Sequence, residues 1–407
     1  MKKLILSFLF LCLSLVVYQS FKTPERLRKT SVANDLYNFQ NYQSLDQYTL
    51  KYQEYIRHFR PNLATDEINN LTPLTIKKVD SSCHKISGIL LVHGLSDSPF
   101  SLSDITKNIV QNKNCVIIKS LLIPGHSLVP GSSLEVKNQD WINAVNFALE
   151  DFKNEKTDNI TAIGFSTGSA LILNQILSDN KKTISKAVFF SPAFDIGLSR
   201  LQSIQLRIID FISNPRPLNF LAYLEKHSDE NIYQYESFSY HGINNLHNVI
   251  RINTQLITSN KVNIPTLFFF SDVDGTVKSA TTIEMINNDF TNASGIIFSN
   301  NGVEIKNITT IKPVNLAEKI LDLSHTSIQT SGDNYYFGKN AKINRGCLHY
   351  DTKKTQDIFN ACRNSDGEFY FGETSNDNLQ NYKNNLSRIT YNPYYQEVVK
   401  KLNDFIN

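Results

Sequence analysis

The chain is poor in several things. Among 407 residues there are one tryptophan, two methionines and five cysteines. Neither Cys-x-x-Cys nor His-Glu-x-x-His spacing occurs, so a zinc site has no sequence support. Charge of one sign is lacking too, since 41 basic residues face 38 acidic ones for a net charge of +3. Without a basic surplus there is no electrostatic footprint for nucleic acid, and that partner is excluded. Charged residues make up 19% and hydrophobic ones 41%, which fits neither a disordered polyelectrolyte nor a polytopic membrane protein. Long apolar runs are missing except at the N-terminus, where Met1-Lys2-Lys3 precedes Leu4 to Tyr18, broken only by Ser7 and Ser14. That run falls short of the ~20 residues of a full span and has the basic and apolar regions of an export signal. Residues 1–20 are therefore expected to be a signal peptide or a membrane anchor, placing the protein in the periplasm or at the cell envelope, with membrane association through residues 4–18 left open.

Export changes how the cysteines read. With Cys12 inside the leader, Cys83, Cys115, Cys347 and Cys362 remain for an oxidising compartment. Four cysteines allow three pairings. Cys347 with Cys362 is favoured because the two are close in sequence and flank an irregular polar segment. Cys83 with Cys115 is then left, each just before an apolar run of the kind that neighbours another in a sheet.

Residues 21–80 form a polar, tyrosine-rich N-terminal arm with a helix expected near Leu45 to Phe59. From Ile86 the texture changes to short apolar runs separated by segments of helical length. The runs begin at Ile89, Cys115, Ile160, Ala187 and Thr266 and show no alternation, as strands covered on both faces do. This predicts an α/β fold with a mostly parallel central sheet flanked by helices, occupying 81–407. Between Phe194 and Val262 no buried strand is expected. Apolar positions 201, 204, 208 and 211 there have helical spacing, predicting a helical lid insertion over 195–262 whose apolar face covers a binding site or packs on the core.

Gly164-Phe165-Ser166-Thr167-Gly168 lies directly after one apolar run and directly before a helical one. A G-x-S-x-G turn between strand and helix needs its glycines because the serine sits on a strained bend that exposes its hydroxyl. Ser166 is the candidate nucleophile. Acyl transfer also needs two N–H donors aimed at the developing oxyanion, one after the nucleophile and one after an early strand. Thr167 and Leu95, the latter in His93-Gly94-Leu95, fill those positions. The acid and base follow in the order Ser, Asp, His. The loop Ser271 to Val277 offers Asp274, with Asp272 as the alternative, and of the later histidines His325 is favoured over His349, which neighbours Cys347.

These residues resemble the α/β-hydrolase superfamily, in particular its monoacylglycerol lipase and carboxylesterase-like branch. Ile123-Pro124-Gly125-His126-Ser127 is similar to that branch's Pro-Gly-His-Gly loop, Gln139-Asp140-Trp141 to the helix start after it, Asp274-Gly275-Thr276-Val277 to its acid loop, and Tyr235-Glu236-Ser237-Phe238 to a stretch before the last lid helix. Two departures stand out. Ser127 replaces the second glycine, and the 51 residues from Asp274 to His325 are long for the branch, with extra strand-like material at 292–320 and a further insertion at 326–390. The resemblance implies a serine hydrolase of carboxylic esters, lipid-like or acylglycerol-type, working through an acyl-enzyme and needing no metal or organic cofactor. A thioesterase, acyltransferase or peptidase using the same triad, and a non-catalytic binding protein on the same fold, are the alternatives. The near-neutral charge leads us to expect a pocket that selects an uncharged ester mainly by apolar contact.

Overall fold

Each apolar run becomes a strand of the computed structural model, which describes residues 22–179, 182–215 and 218–407. In chain order the strands are β1 (Leu74–Lys78), β2 (Ser87–Val92), β3 (Val116–Leu121), β4 (Asn159–Phe165), β5 (Lys186–Phe190), β6 (Tyr223–Glu225), β7 (Phe238–Ser239), β8 (Thr266–Ser271), β9 (Ala293–Phe298), β10 (Ile308–Ile311), β11 (Tyr370–Gly372) and β12 (Leu386–Arg388). Eight form one sheet in the order β1-β3-β2-β4-β5-β8-β9-β10. β1 is antiparallel to β3, and the other pairings are parallel. β2 sits between β3 and β4, with Leu91 opposite Ser120 on one side and Ile163 on the other.

β3, β5 and β8 are buried on both faces because helices cover both sides. On one side the core joins the sheet to the helices Asn138–Asn154, Thr167–Ser178 and Tyr240–Ile257, and to the N-terminal arm through Leu45, Tyr48, Tyr52 and Ile56. The arm's helix spans Leu45–Phe59, with the hydroxyl of Ser44 accepting from the amide of Gln47. On the other side Ile105, Ile109, Val398 and Leu402 of the helices Ser103–Asn112 and Tyr395–Ile406 close a second core. A charged pair lies inside this framework. Lys119 of β3 is 1% exposed and pairs with Asp151, with Glu155 at 3.6 Å; Asp151 lies on the helix Asn138–Asn154 and Glu155 caps its end.

Both disulfides join the expected partners, Cys83 with Cys115 and Cys347 with Cys362. The first staples the entrances of β2 and β3, where Ser87 pairs with Val116. The second closes a small core of Tyr350, Phe359 and Phe369 within 326–390. In the segment 195–262 two helices, Arg200–Ser213 and Tyr240–Ile257, are joined through the short strands β6 and β7, neither of them a buried run. The expected leader at 1–20 lies outside the described residues. Among the described residues no helix is long and apolar enough to cross a membrane.

Candidate active site

β4 ends at Phe165 and a helix begins at Thr167, leaving Ser166 alone on the bend at φ 52° and ψ −114°. The flanking glycines are dictated by space. A Cβ on Gly168 would stand 2.0 Å from the carbonyl oxygen of Val92, and one on Gly164 would stand 2.5 Å from the amide nitrogen of Ser169. Such a strained serine at positive φ persists only where its surroundings fix it, and here its amide donates to the carbonyl of Phe190 at 3.0 Å.

The turn after β8 presents Asp274. Its Oδ1 accepts the amides of Thr276 at 2.8 Å and Val277 at 3.0 Å, which leaves Oδ2 to accept from Nδ1 of His325 at 2.6 Å. With Nδ1 donating, Nε2 is left to accept a hydrogen bond from the hydroxyl of Ser166 at 2.9 Å. The three side chains are thus one hydrogen-bonded chain, brought together from positions 51 and 159 residues apart. Asp272 turns the other way and accepts from the hydroxyl of Ser299 at 2.6 Å. His349 stays within the disulfide-closed segment, its ring 4.0 Å from that of Tyr350, with burial lowering its pKa to about 4. The long acid-to-base spacing is filled by β9 and β10.

Thr167 directly follows Ser166 at the exit of β4, and Leu95 lies three residues past the end of the neighbouring strand β2. Thr167 is the first residue of its helix, so its amide has no intrahelical acceptor. Among the described residues neither amide donates to a backbone carbonyl in these loops. His93, just before Gly94 and Leu95, is neutral because burial holds its pKa well below the usual imidazole range. Its Nδ1 donates to the carbonyl of Gly94 at 2.8 Å and its Nε2 accepts the amide of Ile123 at 3.0 Å, so it ties this turn to the Pro124-Gly125-His126 loop. Ser127, where the resemblance leads one to expect glycine, keeps the left-handed backbone at φ 63°. Tyr52 of the arm donates to the carbonyl of His126 at 2.7 Å and Trp141 to that of Pro124 at 3.0 Å, fixing the loop from two sides.

Two residues not anticipated from the sequence brace the histidine. Glu373, fully buried, accepts the amide of His325 at 3.0 Å and pairs with Arg388 at 2.8 Å. Arg388 also donates to the hydroxyl of Thr276 in the acid loop at 2.9 Å. Burial pushes the Glu373 carboxyl up, but the Arg388 guanidinium outweighs it and holds the group at about 2. The pair therefore links the base loop to the acid loop through the segment 326–390.

Strand order, strained serine turn, and acid and histidine each in a loop after a strand settle the architecture. This is the α/β-hydrolase fold. No family model and no curated protein matches the chain. Similar solved structures include a metagenome-derived lipolytic enzyme at TM-score 0.45 and 18% identity, covering 56% of this chain and 88% of that one. The monoacylglycerol lipase of Paleococcus ferrophilus is similar at TM-score 0.41 and 13% identity, covering 59% and 87%. A soluble variant of monoglyceride lipase from Saccharomyces cerevisiae, solved with a substrate analogue, is similar at 0.43 and 12%, covering 59% and 82%.

A cavity of about 520 Å³ adjoins the histidine side of the site, walled by Asp97, Tyr235, Phe238, Thr326, Arg345 and Arg388 among others. Thr326 follows His325 and Asp97 follows Leu95 by two residues. Several polar and charged side chains also line the cavity: His227 and Glu236 come from 195–262, and Arg345, His349 and Asp351 from 326–390. Burial holds the Asp97 carboxyl well above the usual carboxylate range.

Proposed function

We propose that the protein is a serine hydrolase of carboxylic esters. The observation that carries this reading is the hydrogen-bonded chain from the Ser166 hydroxyl through His325 to Asp274 on a strained strand-to-helix turn. His325 takes the Ser166 proton as the oxygen attacks the ester carbonyl, and the Asp274 carboxylate stabilises the imidazolium that forms. The amides of Leu95 and Thr167 hold the oxyanion. The imidazolium then protonates the departing alcohol, and a water deprotonated by His325 releases the acid from Ser166. We take the substrate to be a lipid-like or acylglycerol-type ester, and the charged wall beside His325 to receive its polar alcohol portion. The two disulfides support export to an oxidising compartment.

Hydrolysis of p-nitrophenyl esters across chain lengths tests the reading, together with labelling by a fluorophosphonate probe. The wild type is expected to turn over and to label, and Ser166→Ala to lose labelling and at least about 10⁴-fold in kcat. Full activity in Ser166→Ala ends the assignment.

A further inference from the structure

The charges around the cavity beside His325 are mostly engaged within the protein. Among its carboxylates, Glu225 and Asp351 hold His227 between them, and Glu236 accepts the amide of Glu230 at 2.8 Å. Among its cations, Arg388 pairs with Glu373, and Nζ of Lys226 donates to the carbonyl of Phe220. Arg345 lines the same cavity, partly buried, and among the described residues it pairs with no carboxylate.

Arg345 is nevertheless fixed in place. Its Nη1 donates to the carbonyls of Tyr336 at 3.0 Å and Ile343 at 3.1 Å, and its guanidinium carbon stands 3.3 Å from the centre of the Tyr336 ring. Both protons of Nη1 are thereby used. The edge formed by Nε and Nη2 meets no carbonyl or carboxylate of the described residues. Such an edge is a planar pair of donors that matches two oxygens of a carboxylate or a phosphate, and because stacking has already set the side chain, little freedom is left to lose on binding. Asp97 on the same wall opposes an anion weakly, since burial favours its uncharged form. The position of the cavity says which part of an ester would carry the anion. Thr326, next to His325, lines it with Arg345, and in the hydrolase reading the histidine protonates the departing alcohol, so the alcohol portion lies on this side. We infer that Arg345 is a specificity-determining residue that binds a carboxylate or phosphate group on the alcohol portion of the ester. The inference rests on the hydrolase reading for where that group sits, and on the contacts of Arg345 for its charge.

The test uses the full chain and butyrate esters that share one acyl group: those of ethylene glycol, of glycolate and of ethylene glycol phosphate, with neutral, carboxylate and phosphate alcohol portions. In the wild type, kcat/KM on one of the anionic esters is expected to exceed that on the neutral ester at least about tenfold, as a charge-assisted hydrogen bond gives, and the preferred anion identifies the group. Arg345→Gln is expected to bring this ratio to within about twofold of unity, through KM of the anionic ester. Arg345→Lys, which keeps the charge and loses the paired donors, is expected to fall between. The ratio compares two esters on one preparation, so general damage from losing the Tyr336 contact cancels. Calorimetric binding of the anionic esters to Ser166→Ala, with and without Arg345→Gln, separates the site from the chemistry. Binding that depends on Arg345 without turnover of any ester by the wild type overturns the hydrolase reading and upholds the anion site. Turnover with a wild-type ratio near unity, or a ratio unchanged in Arg345→Gln, overturns the anion site and leaves the hydrolase reading standing. Binding to Ser166→Ala that is absent or indifferent to Arg345 overturns the anion site as well.

Discussion

Asp272 and Asp274 occupy one loop, two residues apart, and the sequence leaves both open as partners of the histidine. The backbone separates them. Asp274 folds back on the amides of Thr276 and Val277, which aims its free oxygen at Nδ1 of His325, whereas Asp272 is turned toward the hydroxyl of Ser299. Asp274→Asn replaces an acceptor of the Nδ1 proton with a group able to present N–H there, favouring the wrong imidazole tautomer. Its kcat on p-nitrophenyl esters is expected to fall by about 10³–10⁴-fold. Asp272→Asn is expected to stay within about threefold of wild type, since it touches neither reacting group. Equal losses in the two variants, measured side by side, sink this assignment of the acid. Ser127 makes a related point at the scale of single residues. Its side chain differs from the glycine suggested by the resemblance, yet its φ of 63° shows the left-handed turn kept by a residue that tolerates it.

Elements were legible wherever burial left a pattern. β2, β4, β5 and β8 are continuous apolar runs because helices cover both their faces, and the helix Leu45–Phe59 repeats its buried residues at helical spacing. β6 and β7 are too short and too exposed to leave such a trace. The helix Arg200–Ser213 was legible as a helix, but periodicity gives the width of an apolar stripe and not the side that meets water. The Glu373–Arg388 pair had no signal at all, because an ion pair between β12 and the residue after β11 follows no period. Its position predicts more than stability. Glu373 holds the backbone of His325, and Arg388 reaches the hydroxyl of Thr276 beside Asp274, so the pair sets the distance between base and acid. Glu373→Gln loses the charge that holds Arg388 while keeping the shape. We expect kcat to fall by about 10–100-fold with KM nearly unchanged, since small misplacement of a catalytic group costs rate before it costs binding. A merely structural role would instead lower the melting temperature and leave kcat per labelled serine intact, which fluorophosphonate titration of the same preparation reads directly.

At the scale of the whole molecule, two insertions meet above the sheet and enclose the cavity between them. Arg363 of 326–390 pairs with Glu230 of 195–262 at 2.6 Å, Tyr336 accepts the amide of Ile232 at 2.8 Å, and the hydroxyls of Tyr233 and Tyr335 lie 2.8 Å apart. His227 adds a titrating link, with Glu225 at 3.5 Å on Nε2 and Asp351 at 2.8 Å on Nδ1. Hydrogen bonding to Glu225 and then to Asp351 outweighs partial burial and raises the imidazole pKa from 6.5 to about 9. The folded state therefore binds this proton more tightly than the unfolded chain. Its contribution is fully present below pH 6.5 and is lost as pH rises through about 9. His227→Gln keeps a polar side chain but cannot carry the charge. Its melting temperature is expected to lie about 2 °C below wild type at pH 6 and to converge on it by about pH 10, as the wild type gives up the imidazolium. The same contact walls the cavity, so KM for esters with a polar alcohol portion should rise in His227→Gln even at pH 6, while KM for simple p-nitrophenyl acetate stays put. Parallel melting curves from pH 6 to pH 10, with no convergence, mean that His227 does not carry its proton between Glu225 and Asp351.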